Sequence, residues 1–241
     1  MAIRKQTQWE PAHNKYSGYE NYGPTLEAPE VIASEALVFL LVGLQRHWKQ
    51  PIGCFLTNKA SASIQATLIN AALTKASAVG LKVWCVTSDG TTTNIATFKA
   101  LGCQFGNTYD SIKSKFQHPV TGEHVFVILD ACHMLKLARN ALAFLVAFCS
   151  SNDEKFERKF FEGLNLIQQQ EGFKLSNKLS NNHIQFERHK MNVSLAAQAL
   201  SASVVDAMDV MNIALNLPEF RGSEVTVCFA RITDRLFDIL N

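Results

Sequence analysis

The stretch Leu81 to Asn94, LKVWCVTSDGTTTN, constrains the fold of this chain more than any other. Leu81, Val83, Trp84, Cys85 and Val86 make an apolar, β-rich run of the kind that forms a buried strand. Thr87-Ser88-Asp89-Gly90 ends it, and the threonines with Asn94 open a helix. A strand that runs straight into a helix belongs to a layered α/β fold, and it sets the Asp89 carboxylate at the C-terminal lip of the strand. Loops converge beyond the strand ends of open α/β sheets, so ligands and reacting groups collect there. The same Asp-Gly pair also reads as an ordinary turn, with Asp89 as a turn or cap residue. On the local pattern both readings stay open.

The flanking segments extend the α/β reading. Glu35 to Gln45 has the length and the Val/Leu/Phe content of a fully buried strand, and Trp48 to Leu56 (WKQPIGCFL) is predicted as its antiparallel neighbour, with Pro51 near the entry. Ser61 to Val79 places Ile64, Leu68, Ile69, Ala72, Leu73 and Ala76 at helical spacing and stops at Gly80. Thr93 to Leu101 reads as a short helix closed by Gly102. After a polar segment with a turn at Gly122, Val125 to Leu129 is a second buried strand that ends in an aspartate, Asp130, and the helical run Met134 to Phe148 follows. Residues 1–30, broken by Gly18, Gly23, Pro24 and Pro29, suggest a short hairpin and a loop, and Met1-Ala2-Ile3-Arg4 reads as the tail of a strand. The order strand, strand, helix, strand, helix, strand, helix predicts an α/β layer with an antiparallel start and parallel later strands. It matches an RNase H-like mixed sheet lacking its first strand.

Beyond Cys149 no strand pattern appears, and Phe156 to Gln170, Met191 to Leu215 and Glu224 to Leu240 read as helices. The expected organisation is an RNase H-like domain over residues 1–150, incomplete at its N-terminus, and a mostly α-helical segment over 151–241, incomplete at its C-terminus. The boundary is predicted near Ser150 to Asp153.

Composition removes several function classes. With 47% hydrophobic and 18% charged residues among 241, the chain can bury a sizeable core. The formal net charge is +2 and no basic run stands out, so no electrostatic stripe announces nucleic acid. The six cysteines include no C-x-x-C pair and most sit in apolar runs, as small core residues in a reduced, intracellular compartment do. The seven histidines are dispersed and form no zinc pattern. MAIRKQTQWEP lacks the apolar centre of a signal peptide. The runs ALVFLLVGL (36–44) and ALAFLVAFC (141–149) are about half the length of a membrane helix. A nuclear or cytoplasmic chain without a membrane span is expected.

Asp130 and His133 form a D-x-x-H pair at the second strand-to-helix junction. They could ligate or brace a metal site, or Asp130 could cap the helix with His133 in its first turn. Four ordered motifs then point to a family: Ser88-Asp89-Gly90 with Asn94; Leu129-Asp130, His133, Lys136 and Arg139-Asn140; the W-K-x-P-I-G of Trp48 to Gly53; and Asn182-His183-Ile184 followed by Leu195-Ala196-Ala197-Gln198. Together they resemble P-element-type, THAP-domain DNA transposases. The resemblance implies an RNase H-like catalytic domain interrupted by a helical insertion that binds GTP. It also implies Mg²⁺ or Mn²⁺ as catalytic ions, transposon-end DNA as partner, and leaves a homo-oligomer open.

Carried over by position, Asp89 corresponds to the second catalytic acid and metal ligand, and Asp130 with His133 to the accompanying D-x-x-H motif. Lys178, Asn192, Val193, Asp234, Phe237 and Asp238 fall where the family contacts its guanine nucleotide. Lys would serve a phosphate, an aromatic face the base, and a carboxylate the guanine N1 and N2 donors. Phe237 also belongs to an ordinary apolar stripe with Ile232, Leu236 and Leu240. The resemblance puts the first catalytic acid ahead of Met1 and the last glutamate beyond Asn241, so two-metal cleavage and strand transfer is not expected of these residues alone. The alternative is a non-catalytic guanine-nucleotide-binding or domesticated DNA-complex module.

Overall fold

The computed structural model describes residues 1–45, 47–145, 147–150 and 153–240, with Tyr109 described in its backbone only. The chain divides into two compact units, Met1–Ile128 and Leu129–Asn241. Each has its own core.

In the first unit, β1 (Gln8–Glu10) and β2 (Lys15–Ser17) form an antiparallel hairpin. Its one close aromatic pair is Trp9 against Tyr16, edge-on at 5.0 Å, a cross-strand contact of the kind that stabilises a short ribbon. Gly18 follows with φ +104°, and a Cβ there would lie 2.1 Å from the Gln6 carbonyl oxygen, so only glycine fits.

Next come β3 (Glu35–Val42) and β4 (Lys49–Thr57), antiparallel from Glu35 opposite Thr57 to Val42 opposite Lys49. The register shifts between Phe39 and Leu40, whose partners are Gly53 and Pro51. The bulge sits where Pro51 has no N–H to give to a ladder. α1 (Ala62–Ala78) starts at Ser61, whose hydroxyl accepts from the Ile64 amide at 3.3 Å. β5 (Cys85–Ser88) leads into α2 (Thr92–Leu101), which ends on Gly102 at φ 111°. β6 (Lys115–Gln117) and β7 (His124–Leu129) complete a three-stranded sheet in the order β5-β7-β6. Tyr22, Ala60 and Leu68 form a core cluster with Leu37, Phe39 and Phe55 packed against it.

The second unit opens with α3 (Ala131–Leu145), then a hairpin of β8 (Ala147–Cys149) and β9 (Lys155–Glu157). Helices α4 (Lys159–Gln170), α5 (Asn181–Ile184), α6 (Val193–Ala199) and α7 (Ala202–Asp209) follow. A π-helical turn at Val210–Ala214 leads on to α8 (Glu224–Leu240). One cluster unites Leu135 of α3, Phe160 and Leu164 of α4, Val204 and Met208 of α7, Phe220, and Val227 and Ala230 of α8.

Several expectations are corrected. β3 is not buried on both faces: Val38, Leu40 and Val42 are 42%, 48% and 54% exposed, because only the face carrying Leu37 and Phe39 joins the core. The strand predicted at Leu81 to Thr87 is shorter and starts at Cys85. The helix predicted to reach Phe148 stops at Leu145, since Phe148 pairs with Phe156 across the β8–β9 hairpin. Ser151 and Asn152, within the expected boundary at Ser150 to Asp153, lie outside the described residues. The run from Met191 to Leu215 is broken at Ser201, which is extended (ψ 154°) and donates its hydroxyl to the Gln198 carbonyl at 2.9 Å. Val193–Ala214 is long and apolar enough by composition to cross a membrane, yet Val204, Val205 and Met208 within it are fully buried in the unit's own core. All six cysteines are free thiols, and Cys103 alone is buried: Cys54, Cys149 and Cys228 are exposed, and Cys85 and Cys132 are intermediate.

Candidate functional site

Asp89 follows the last residue of β5 and precedes the first turn of α2. Its Oδ1 accepts from Asn94 Nδ2 at 2.7 Å and from the Thr91 amide at 3.2 Å, and Ser88 Oγ donates to its carbonyl at 3.1 Å. The two sequence readings therefore meet in one residue. Asp89 stands on the strand lip, and one of its oxygens closes the turn that starts α2. Among the described residues no group of three His, Cys, Asp or Glu side chains is placed to hold a metal. A pair of divalent ions needs several carboxylate oxygens, so this donor set does not fit a two-metal centre.

In the second unit, Asp130 caps α3. Its Oδ1 accepts from the His133 amide at 2.5 Å, and its carbonyl accepts from the Met134 amide at 2.9 Å. His133 is partly buried in the same first turn.

The residues assigned to a nucleotide are spread over three places. Lys178 is exposed on the extended stretch before α5. Asn192 caps α6, with its Oδ1 accepting from the Leu195 amide at 3.0 Å, and Val193, the first residue of α6, packs against the core. Asp234, Phe237 and Asp238 share one face of α8 at i, i+3 and i+4. Asp234 Oδ2 accepts from the Ala202 amide at 3.1 Å, which ties α8 to the N-terminus of α7. Phe237 packs against the core and Asp238 is exposed. Among the described residues Lys178 makes no hydrogen bond or ion pair with Asn192 or α8.

Residues first noticed as family motifs, with Arg158 and Ser180, instead build a partly buried polar clamp. Arg139 is 3% exposed. Its Nε donates to Asn140 Oδ1 at 2.8 Å and its Nη2 to the His189 carbonyl at 2.9 Å, while Asn140 Nδ2 donates to the Lys190 carbonyl at 3.1 Å. Arg158 Nη1 and Nη2 donate to the carbonyls of Ala143 and Ile184 at 2.7 and 3.1 Å. His183 Nδ1 meets Ser180 Oγ at 2.9 Å, and its Nε2 meets Gln198 Oε1 at 3.2 Å. Sequence reasoning had the Arg139-Asn140 and Asn182-His183-Ile184 motifs in hand. The reach of Arg139 and Asn140 to the His189 and Lys190 carbonyls, fifty residues away, was invisible to it.

Burial pushes the His183 imidazole below the usual histidine range, with the Gln198 and Ser180 bonds opposing in part. The neutral ring is therefore the form the folded unit prefers. As pH falls through the unfolded value, about 6.5, the unfolded chain binds a proton that the folded chain still refuses. Stability is then lost between that value and the lower folded one. Urea midpoints read by far-ultraviolet dichroism are expected to fall from pH 7.5 to pH 5.5, and His183→Asn is expected to flatten that dependence.

Two family descriptions match the chain. "TNP-like, RNase H N-terminal domain" covers residues 1–102, and "TNP-like, GTP-binding insertion domain" covers residues 132–241. The fold is thus an RNase H-like α/β layer followed by a mostly helical segment. The chain belongs to the P-element-type transposase family. It is 33% identical over 246 residues to the DNA transposase THAP9 of Homo sapiens, an alignment spanning 100% of this chain and 26% of that protein. It also superposes on the Drosophila P element transposase strand transfer complex with a TM-score of 0.78 at 20% identity, over 100% of this chain and 49% of that one. The chain spans about a quarter of the human relative and about half of the Drosophila one.

Proposed function

We propose that this chain is a P-element-like DNA transposase segment, related to metal-dependent cleavage and strand transfer, that does not cleave DNA by itself and whose helical unit binds a guanine nucleotide. The α8 face of Asp234, Phe237 and Asp238 carries the nucleotide half of this reading, because it offers carboxylates beside an aromatic ring within the segment matched to a GTP-binding insertion domain. GTP would supply no bond-breaking step here: Lys178 would hold a phosphate and the α8 carboxylates the base edge. The donor set at Asp89 supports the other half, and it equally suits a non-catalytic module in a DNA complex. A nuclear or cytoplasmic site of action accords with either.

Calorimetry with GTP is expected to give saturable heat, and ATP none at the same concentration. Lys178→Ala should weaken GTP by at least tenfold with an unchanged melting temperature, since Lys178 is exposed. No heat with millimolar GTP would remove the nucleotide reading. Incubation with Mn²⁺ and transposon-end DNA is expected to leave the DNA intact; robust cleavage would refute the second half.

A further inference from the structure

Arg139 carries an unused donor inside the second unit. A guanidinium is planar and presents its N–H groups in fixed directions. Nε and Nη2 share one edge of the plane, and that edge is taken by Asn140 Oδ1 and the His189 carbonyl at 2.8 and 2.9 Å. Nη1 belongs to the opposite edge. It is enclosed and has no hydrogen-bond partner among the described residues, on a residue only 3% exposed. Buried donors in native structures are nearly always paired, so this one calls for an acceptor.

Charge narrows what the acceptor is. Arginine keeps its proton in folded proteins, and although burial depresses the Arg139 pKa, no neighbouring carboxylate among the described residues raises it. Arg158, the second arginine at this place, is already balanced. Its Nε lies 2.8 Å from Glu162 Oε1, and its Nη1 and Nη2 both donate to carbonyls. His183 brings no charge of either sign, since Ser180 and Gln198 engage both ring nitrogens and burial favours the neutral ring. A water molecule would satisfy the Nη1 donor and leave the buried charge as it is; an anion answers both.

The room available sets the size of that anion. Arg139, Arg158 and His183 line a cavity of about 30 Å³, together with Leu142, Phe161 and Ala199. A water-sized sphere takes roughly 10–15 Å³, so the space admits one or two such spheres and excludes a phosphate-bearing ligand such as a nucleotide. The apolar share of the wall favours a weakly hydrated monatomic ion over a strongly hydrated one. We propose that this cavity is a chloride site, in which Arg139 Nη1 donates to the ion and the ion balances the buried guanidinium. The inference is independent of the nucleotide reading, whose residues lie elsewhere in the unit.

The test exchanges sodium chloride for sodium gluconate at constant ionic strength and pH 7.5, with no nucleotide present. Gluconate is too large for the cavity. Helical dichroism of the second unit is expected to show a saturable rise in melting temperature, at least about 4 °C between chloride-free buffer and about 0.2 M chloride. Tryptophan fluorescence, which comes from the first unit, should show no such rise. Bromide should replace chloride, fluoride should not, and crystals grown in bromide should give an anomalous peak beside Arg139 Nη1. Arg139→Met removes the donor and should abolish the rise. Ala199→Val keeps the arginine and narrows the cavity, so it should abolish the rise as well and carries the test if the first variant does not fold. Equal melting in chloride and gluconate overturns the proposal. So does a rise of the same size in both units, a rise that persists in either variant, or a bromide crystal with only water at the site.

Discussion

Arg139→Ala is expected to destabilise the second unit by about 3 kcal/mol, because it removes a charged donor from the Asn140 side chain and the His189 carbonyl in a buried setting. A buried acceptor left alone loses roughly 1–3 kcal/mol, and the vacated guanidinium leaves space beside Leu142, Phe161 and His183, which line the same small cavity. An opposing effect exists. Among the described residues Arg139 has no carboxylate as a hydrogen-bond partner, and burial holds its pKa below the usual arginine value, so the folded state already bears the desolvation of a buried cation. Arg139→Met, which keeps the stem and removes the charge, separates the two. It should lose less than half as much as Arg139→Ala. The three tryptophans, Trp9, Trp48 and Trp84, all lie in the first unit. Fluorescence should therefore report an unchanged first transition while dichroism at helical wavelengths reports the weakened second. An alanine variant as stable as the parent would show that the clamp contributes nothing.

Phe220→Ala should have a larger effect, about 4 kcal/mol. Phe220 is fully buried, its ring lies 6.2 Å from that of Phe160, and α4 presents Gly163 at the contact, where a Cβ would sit 3.6 Å from the Phe220 ring. A short link between Leu217 and Ser223 thereby anchors itself in the core under α4 and α7. Truncation opens a cavity in close-packed surroundings that cannot collapse onto it. Phe220→Leu keeps most of the volume and should lose about 1–2 kcal/mol. Urea midpoints at constant slope give both values.

The parts of the fold that were legible in the sequence are those where one local rule suffices. Ser61 with the period through Ala76 defined α1, and Gly102 ended α2. The β3–β4 hairpin was legible from two apolar runs facing each other across a short polar break. Strands of three residues carry too few positions to show a period, so β6, β8 and β9 were missed. The break at Ser201 escaped because the apolar pattern continues through it, and the serine terminates the helix by its own hydroxyl bond. Burial was misjudged wherever it depended on what covers a surface. An apolar strand such as β3 reads the same whether one face is packed or two.

The candidate site divides in the same way. Asp89 was legible as a strand-lip acid, since strand, turn and helix are contiguous in sequence. Its tie to Asn94 spans five residues and was within reach of the same reasoning. The cap role of Asp130 was equally local. By contrast, Asp234 binding the Ala202 amide joins positions thirty-two apart, and a helical stripe cannot show which distant backbone a carboxylate will meet.

The second unit is closed by its last helix: Val227 and Ala230 of α8 lie in the same cluster as Leu135 of α3, and Thr226 Oγ1 accepts from the Glu157 amide at 3.0 Å. During synthesis on the ribosome, a nascent chain that has reached α7 still lacks the residues that complete this core. At about 5–20 residues per second, translation of Leu129 to Leu240 takes on the order of ten seconds. Throughout that interval α3 is made but unsealed, while the first unit is free to fold. Chaperone capture is accordingly expected to concentrate on ribosome-bound chains stalled between α4 and α8, and to fall away once α8 has emerged.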